Sequence, residues 1–282
     1  MTLAMFFCAT TAVAHSDHDH HEQATLLERA VAAQAHHEFD KALALVERAL
    51  RADPADDAAR LHAMALHLIQ GNADGAEAAC NGLRAVPPVV MATCHARVAH
   101  ARGEVSVARA RLERLLAVSP ANGLDAALYA WTLSVAGDLA LADGDAASAR
   151  DRYHRSLVAS DNAQVRASLV ERLIESGDWA AAKSLVSDGA RSLTLTVQQL
   201  IIDRALGLDT RDREQRVLAT FERWELIGDY EHAREMARFY LDVRDDPERA
   251  LALARINARL QKEPEDGLLL ERARAASVRL HK

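Results

Sequence analysis

The densest group of candidate metal ligands in the chain is His15-Ser-Asp17-His18-Asp19-His20-His21-Glu22. Four imidazoles and three carboxylates within eight residues offer donors that suit Zn²⁺, Cu²⁺ or Ni²⁺. His15, Asp17, His18, Asp19, His20 and His21 are therefore candidate ligands. The tract holds no apolar residue to pack, so a flexible tail over 15–23 is expected, and a solvated low-complexity start is the plain alternative. Two further histidine pairs, His62 with His67 and His95 with His100, have a spacing of five, which aligns less well on one helix face than four. Stacked helices could still bring His67 toward His100. Cysteines occur at 8, 80 and 94. No Gly-rich phosphate loop, H-E-x-x-H, G-x-S-x-G or C-x-x-C is present, so no catalytic constellation is legible and the chain reads as non-enzymatic.

The elements that position these residues begin with residues 2–14, TLAMFFCATTAVA, which are uncharged and mostly apolar. The stretch ends in Ala12-Val13-Ala14, the small-x-small pattern of a signal-peptidase site, and it is too short to span a bilayer, which takes about 20 residues. Residues 1–14 thus read as a cleaved signal peptide, with an exported, periplasmic location. No Lys or Arg precedes the apolar run, which a start assigned too far downstream would explain. The alternative is a cytoplasmic protein with an apolar first turn. Cleavage after Ala14 removes Cys8 and leaves Cys80 and Cys94 in an oxidising compartment.

Hydrophobic residues make up 50% of the chain but aromatics only 4%, and alanine supplies about a fifth. Alanine favours helix, whereas β-branched and aromatic residues favour strands, so an all-helical protein is expected. Thirty-four basic against 41 acidic residues leave a net charge of −7 with no basic stripe, which argues against nucleic-acid binding.

Helical patterns recur along the chain with a regular break. Gly71-Asn72, Gly103-Glu104, Gly144-Asp145 and Gly177-Asp178 are followed by Ala76, Ala108, Ala149 and Ala182, and Phe39-Asp40 by Ala42. The alanines are separated by 34, 32, 41 and 33 residues in chain order. Pro54, Pro88 and Pro120 fall at unit ends, where a residue that cannot continue a helix marks the turn. These features resemble the tetratricopeptide repeat (TPR) family, whose bulky aromatic early in the first helix is replaced here by Ala or Leu in most units. The resemblance implies an all-α, right-handed α-solenoid of antiparallel helix pairs. We place seven pairs near 24–56, 57–88, 89–122, 124–161, 163–194, 195–228 and 229–264, with a polar-faced capping helix at 266–281, as one array over 24–282. The fourth pair's first helix is expected to start near Leu124 and to protrude at its N-terminal end.

Cys80 then falls in the second helix of pair two and Cys94 in the first helix of pair three, at comparable distances from the Val86-Pro87-Pro88 turn. A disulfide and two buried free thiols are both compatible with that placement. In TPR-like proteins the first helices line a concave groove that holds a peptide or a partner protein. Helical phase gives Leu61, Arg97, His100, Trp131, Asp138, Glu171, Ile201, Glu235 and Phe239 as candidates to face it. The densest aromatic and charged cluster, His232 to Leu241, adds His232. The Lys/Asn carboxylate clamp of one TPR subgroup is not visible. The leading expectation is a non-enzymatic adaptor for another protein or peptide, without nucleic acid and without a stable membrane span after signal cleavage. The alternatives are a metal-handling accessory protein that uses the His/Asp tract, and a cytosolic helical regulator that senses a ligand.

Overall fold

The computed structural model describes residues 17–118, 123–186 and 192–280, with side chains from Leu26 onward. The signal-peptide assignment at 1–14 and His15 lie outside the described residues. Among the described residues there are fifteen helices and no strand. The chain divides into two compact units, 1–162 and 163–282.

Unit 1 holds four helix pairs: α1 (Asp17–Ala35) with α2 (Phe39–Ala52), α3 (Asp57–Ile69) with α4 (Ala73–Asn81), α5 (Pro88–Ala101) with α6 (Val105–Val118), and α7 (Ala126–Ala142) with α8 (Ala146–Ala159). Unit 2 holds α9 (Ala163–Glu175) with α10 (Trp179–Leu185), α11 (Leu193–Ala205) with α12 (Arg211–Ile227), and α13 (Ala233–Asp242) with α14 (Pro247–Leu260). A last helix, α15 (Pro264–Leu280), packs on α13 and α14. Among the described residues the result is a run of successive helix pairs, with α12 set apart from α11, and a final helix. Its outer side is less polar than expected of a cap, because Leu268, Val278 and Leu280 are exposed.

The Gly-Asx break works by two linked hydrogen-bond patterns. Gly144 takes φ +83 and Gly177 φ +71, the left-handed conformation that only glycine adopts without strain. The next residue's N–H then bonds back to the carbonyl five residues earlier, Asp145 to Ala140 at 2.8 Å and Asp178 to Leu173 at 2.9 Å, which is the Schellman closure. The same aspartates then cap the following helix, the Asp145 carboxylate accepting from Ser148 N at 3.0 Å and Asp178 from Ala181 N at 3.3 Å. Asn72 does likewise for Gly75 N. One dipeptide therefore ends the first helix and starts the second. Pro88, Pro247 and Pro264 each open a helix rather than close one, as expected for a residue whose missing N–H is not needed in the first turn.

The backbone of α1 begins at Asp17, so a helix takes in most of the tract expected as a tail. The start of α7 matches the expected protrusion only in part: Asp125 caps it and its first turn is partly exposed, but Ala130 to Ala140 are all buried. A helix apolar on every side has to be covered on every side. α7 and α8 approach closely because Gly137 lies under the Tyr153 ring, where an added Cβ would sit 2.8 Å from a ring carbon. α12 stands further from α11, and Val217 and Phe221 fill the space toward Leu200, Phe239 and Tyr240.

Candidate functional site

In a stack of pairs, the first helices of successive pairs adjoin, and the side chains between them form a seam. In unit 1 that seam is buried. His62 Nε2 on α3 lies 2.6 Å from Gln34 Oε1 on α1. Burial lowers the imidazole pKa to about 4, so His62 is neutral at pH 7, and its Nε2–H donates to the amide oxygen. Between α5 and α7, Thr93 donates to the Thr132 hydroxyl at 3.2 Å. Arg97 meets Asp138 at 3.4 Å, and the Tyr153 hydroxyl donates to the same carboxylate at 2.7 Å. Arg97 is 7% exposed and Asp138 4%. A buried ion pair persists only where hydrogen bonds satisfy the charge, and the Tyr153 hydroxyl supplies one of them.

In unit 2 the corresponding seam is ionic and partly open. Gln198 on α11 donates to Ala167 O at 2.9 Å and to Glu171 at 3.0 Å, both on α9. Arg238 on α13 also reaches Glu171, at 2.9 Å, although α11 packs against both helices. Arg238 bonds Asp242 at 2.6 Å as well, and Arg272 on α15 bonds the other Asp242 oxygen at 2.8 Å. Thr194 on α11 donates to Glu235 on α13 at 2.7 Å. Burial pushes the Glu171 carboxyl up, but Arg238, Gln198 and Arg172 outweigh it and hold it below the ordinary carboxylate range. Glu175, at the open end of the strip, is pushed up by burial, which Arg172 only partly offsets. A strip of charged side chains, Glu171, Glu175, Arg238, Asp242 and Arg272, thus joins α9, α13 and α15, with Glu175 paired to Arg172. Glu175 and Arg272, which attract each other, are about half exposed.

The candidates from the sequence separate along this line. Leu61, Trp131 and Phe239 are 2%, 1% and 0% exposed and belong to the core, which corrects their assignment to a groove. Arg97 and Asp138 face each other inside the unit 1 seam instead of an open surface. The physical reason is that α7 is enclosed, so a residue on any of its faces is covered. His100 is partly exposed at the end of α5. Glu171, Ile201, His232 and Glu235 are partly exposed in unit 2, and Glu171 and Glu235 take part in its seam. The His232 ring lies 5.1 Å from the Trp224 ring, tilted against it. Arg238 belongs to the His232–Leu241 cluster, whereas Asp242 and Arg272 carry no sequence signal, because an Arg four residues before an Asp is the ordinary pattern of a solvated helix face.

Cys80 and Cys94 are joined in a disulfide with Cα atoms 5.7 Å apart, and both are buried. It ties α4 to α5. Among the described residues no group of three His, Cys, Asp or Glu is placed to hold a metal ion. His67 Nδ1 instead lies 3.3 Å from the Asn72 amide. No helix of the described residues is long and apolar enough to cross a membrane.

No family model matches the chain, and no curated protein matches it. Among solved structures it is similar to the PilF protein of Pseudomonas aeruginosa, at 11% identity and a TM-score of 0.45, over 91% of this chain and 98% of that one. It is also similar to a tetratricopeptide repeat protein of Parabacteroides merdae, at 15% identity and a TM-score of 0.46, over 90% of this chain and 99% of that one.

Proposed function

We propose that the chain is a non-enzymatic scaffold that binds another protein on the first-helix face of unit 2. The observation that carries this reading is the charged strip of Glu171, Glu175, Arg238, Asp242 and Arg272, which joins three helices and leaves Glu175 and Arg272 half exposed. Such a surface fixes the register of a partner through complementary charge more than it adds affinity. The enclosed seam of unit 1 serves as framework in this reading. An oxidising, exported setting is part of the same proposal, supported by the Cys80–Cys94 bridge and the Ala12-Val13-Ala14 pattern. The test is proximity labelling in the native cell with the wild-type chain and with Glu175→Lys/Arg272→Glu. We expect a reproducible set of labelled partners that the double variant loses while its melting temperature stays within a few degrees. An unchanged set would sink the assignment of the face.

A second reading, metal handling by the N-terminal tract, is favoured by one observation. The α1 backbone starts at Asp17, which puts His18, His21 and Glu22 at helical spacings of three and four. Paired ligands at such spacings are a standard way for a helix to hold a transition metal. Equilibrium dialysis with Zn²⁺ of the full chain and of a version lacking 15–22 decides it, and equal, negligible uptake ends the idea.

A further inference from the structure

The turn that joins α12 to α13 carries an apolar surface separate from the strip just described. Leu226 and Ile227, the last residues of α12, are 86% and 69% exposed. Single exposed aliphatic residues are ordinary on a protein surface, but these two adjoin partly exposed rings. Trp224 and Tyr230 lie against the core cluster of Phe221, Phe239 and Tyr240 without being buried by it. The Trp224 ring is 5.6 Å from Phe221 and 5.1 Å from His232. The backbone here is also fixed. Gly228 takes φ +73, and the Asp229 N–H bonds Trp224 O at 2.9 Å. Trp224, Leu226, Ile227 and Tyr230 thus flank one closed helix end.

The surrounding charge is negative. Residues 222–231 hold Glu222, Glu225, Asp229 and Glu231 against Arg223. Arg249 of α14 pairs with Glu225 at 3.1 Å, so the corner carries −4 + 1 + 1 = −2. Glu222, Asp229 and Glu231 form no ion pair among the described residues. We propose that this corner is a docking site for a cationic amphipathic segment of another protein. Its apolar side chains would cover Leu226, Ile227 and the two rings, and its Lys or Arg groups would meet the Glu222, Asp229 and Glu231 carboxylates. A second copy of the chain is a poorer occupant, because a two-fold contact sets this acidic corner against itself. An anionic lipid surface is repelled for the same reason.

The experiment uses the full chain and, as probe, a labelled amphipathic Leu/Lys helix of about 18 residues, followed by fluorescence anisotropy. Saturable binding is expected, weakened by added salt. Leu226→Ser/Ile227→Ser should weaken it at least about tenfold, since both aliphatic side chains would leave water in the complex. Both side chains are exposed, so the variant should keep the wild-type circular dichroism. Glu175→Lys/Arg272→Glu should leave peptide affinity unchanged, which separates this site from the unit 2 strip. Absent saturable binding, equal affinity in the Ser variant, or equal binding of a Leu/Glu peptide overturns the proposal. So does a loss of affinity in the strip variant. Concentration-dependent dimerisation in sedimentation that the Ser variant abolishes would instead assign the corner to a second copy, and tighter binding to anionic vesicles would assign it to lipid.

Discussion

The two units join their first helices in opposite ways. Unit 1 buries its connections: Gln34 to His62, Thr93 to Thr132, and Arg97 to Asp138 and Tyr153 are at most 7% exposed. Unit 2 buries only part of them: Gln198 is buried, but Glu171, Arg238 and Asp242 are partly exposed and Glu175 and Arg272 half exposed. The cause lies in side-chain size. Unit 1 packs Ala, Ser, Thr and Gly between close helices, Gly137 under Tyr153 being the tightest approach, so little water enters. Unit 2 sets Phe221, Phe239 and Tyr240 in its core, in edge contacts 5.3 and 5.5 Å between centroids. Its seam instead carries long charged side chains, and Arg238 reaches the α9 carboxylate of Glu171 from α13. Repeats with a similar sequence signature can therefore yield a sealed seam or a charged surface.

The sharpest way to break this contrast is Asp138→Leu. It leaves the Arg97 guanidinium in a sealed seam without its carboxylate, and should cost about 3–5 kcal/mol in urea unfolding. Arg97→Met/Asp138→Leu should recover most of that loss. If Asp138→Leu alone costs under about 1 kcal/mol, the seam is not sealed. Next is the disulfide: Cys80→Ser/Cys94→Ser closes no loop, and for a separation of 14 residues should lower stability by about 3 kcal/mol, read as a fall in the urea midpoint. An equal midpoint for wild type with and without reductant would contradict it.

The pH dependence of unit 1 follows from His62. Its folded pKa, about 4, lies below the ordinary 6.5, so the unfolded chain takes up the proton first. The contribution is fully present above pH 6.5 and declines as pH falls toward 4, by roughly 3 kcal/mol at its fullest. His62→Gln should flatten that stretch of the stability profile, and an unchanged slope would show that His62 is not kept neutral. The smallest effect belongs to unit 2. Arg272→Ala removes a half-exposed ion pair and should cost under about 1 kcal/mol, less still at high salt. A larger, salt-independent loss would mean the unit 2 seam is as buried as that of unit 1.

The sequence by itself determined the helices and their pairing. A glycine that must take positive φ, followed by an Asn or Asp that caps the next helix, is a local device, and it marks the same turns in the structure at Gly71, Gly144 and Gly177. Prolines at helix starts and the scarcity of aromatics are local too. Tertiary structure alone decided which faces meet water. Trp131 and Asp138 have the helical phase of groove residues, yet they are buried because α7 is covered all round. Glu171 and Arg238 are 67 residues apart (238 − 171) and become partners only through the spacing of three first helices. A helical wheel fixes the angle of a side chain about its own axis. It does not fix how many neighbours pack around that axis or how closely they approach. Those depend on side-chain volumes contributed by other helices, and they decide whether a seam is dry and neutral or wet and charged.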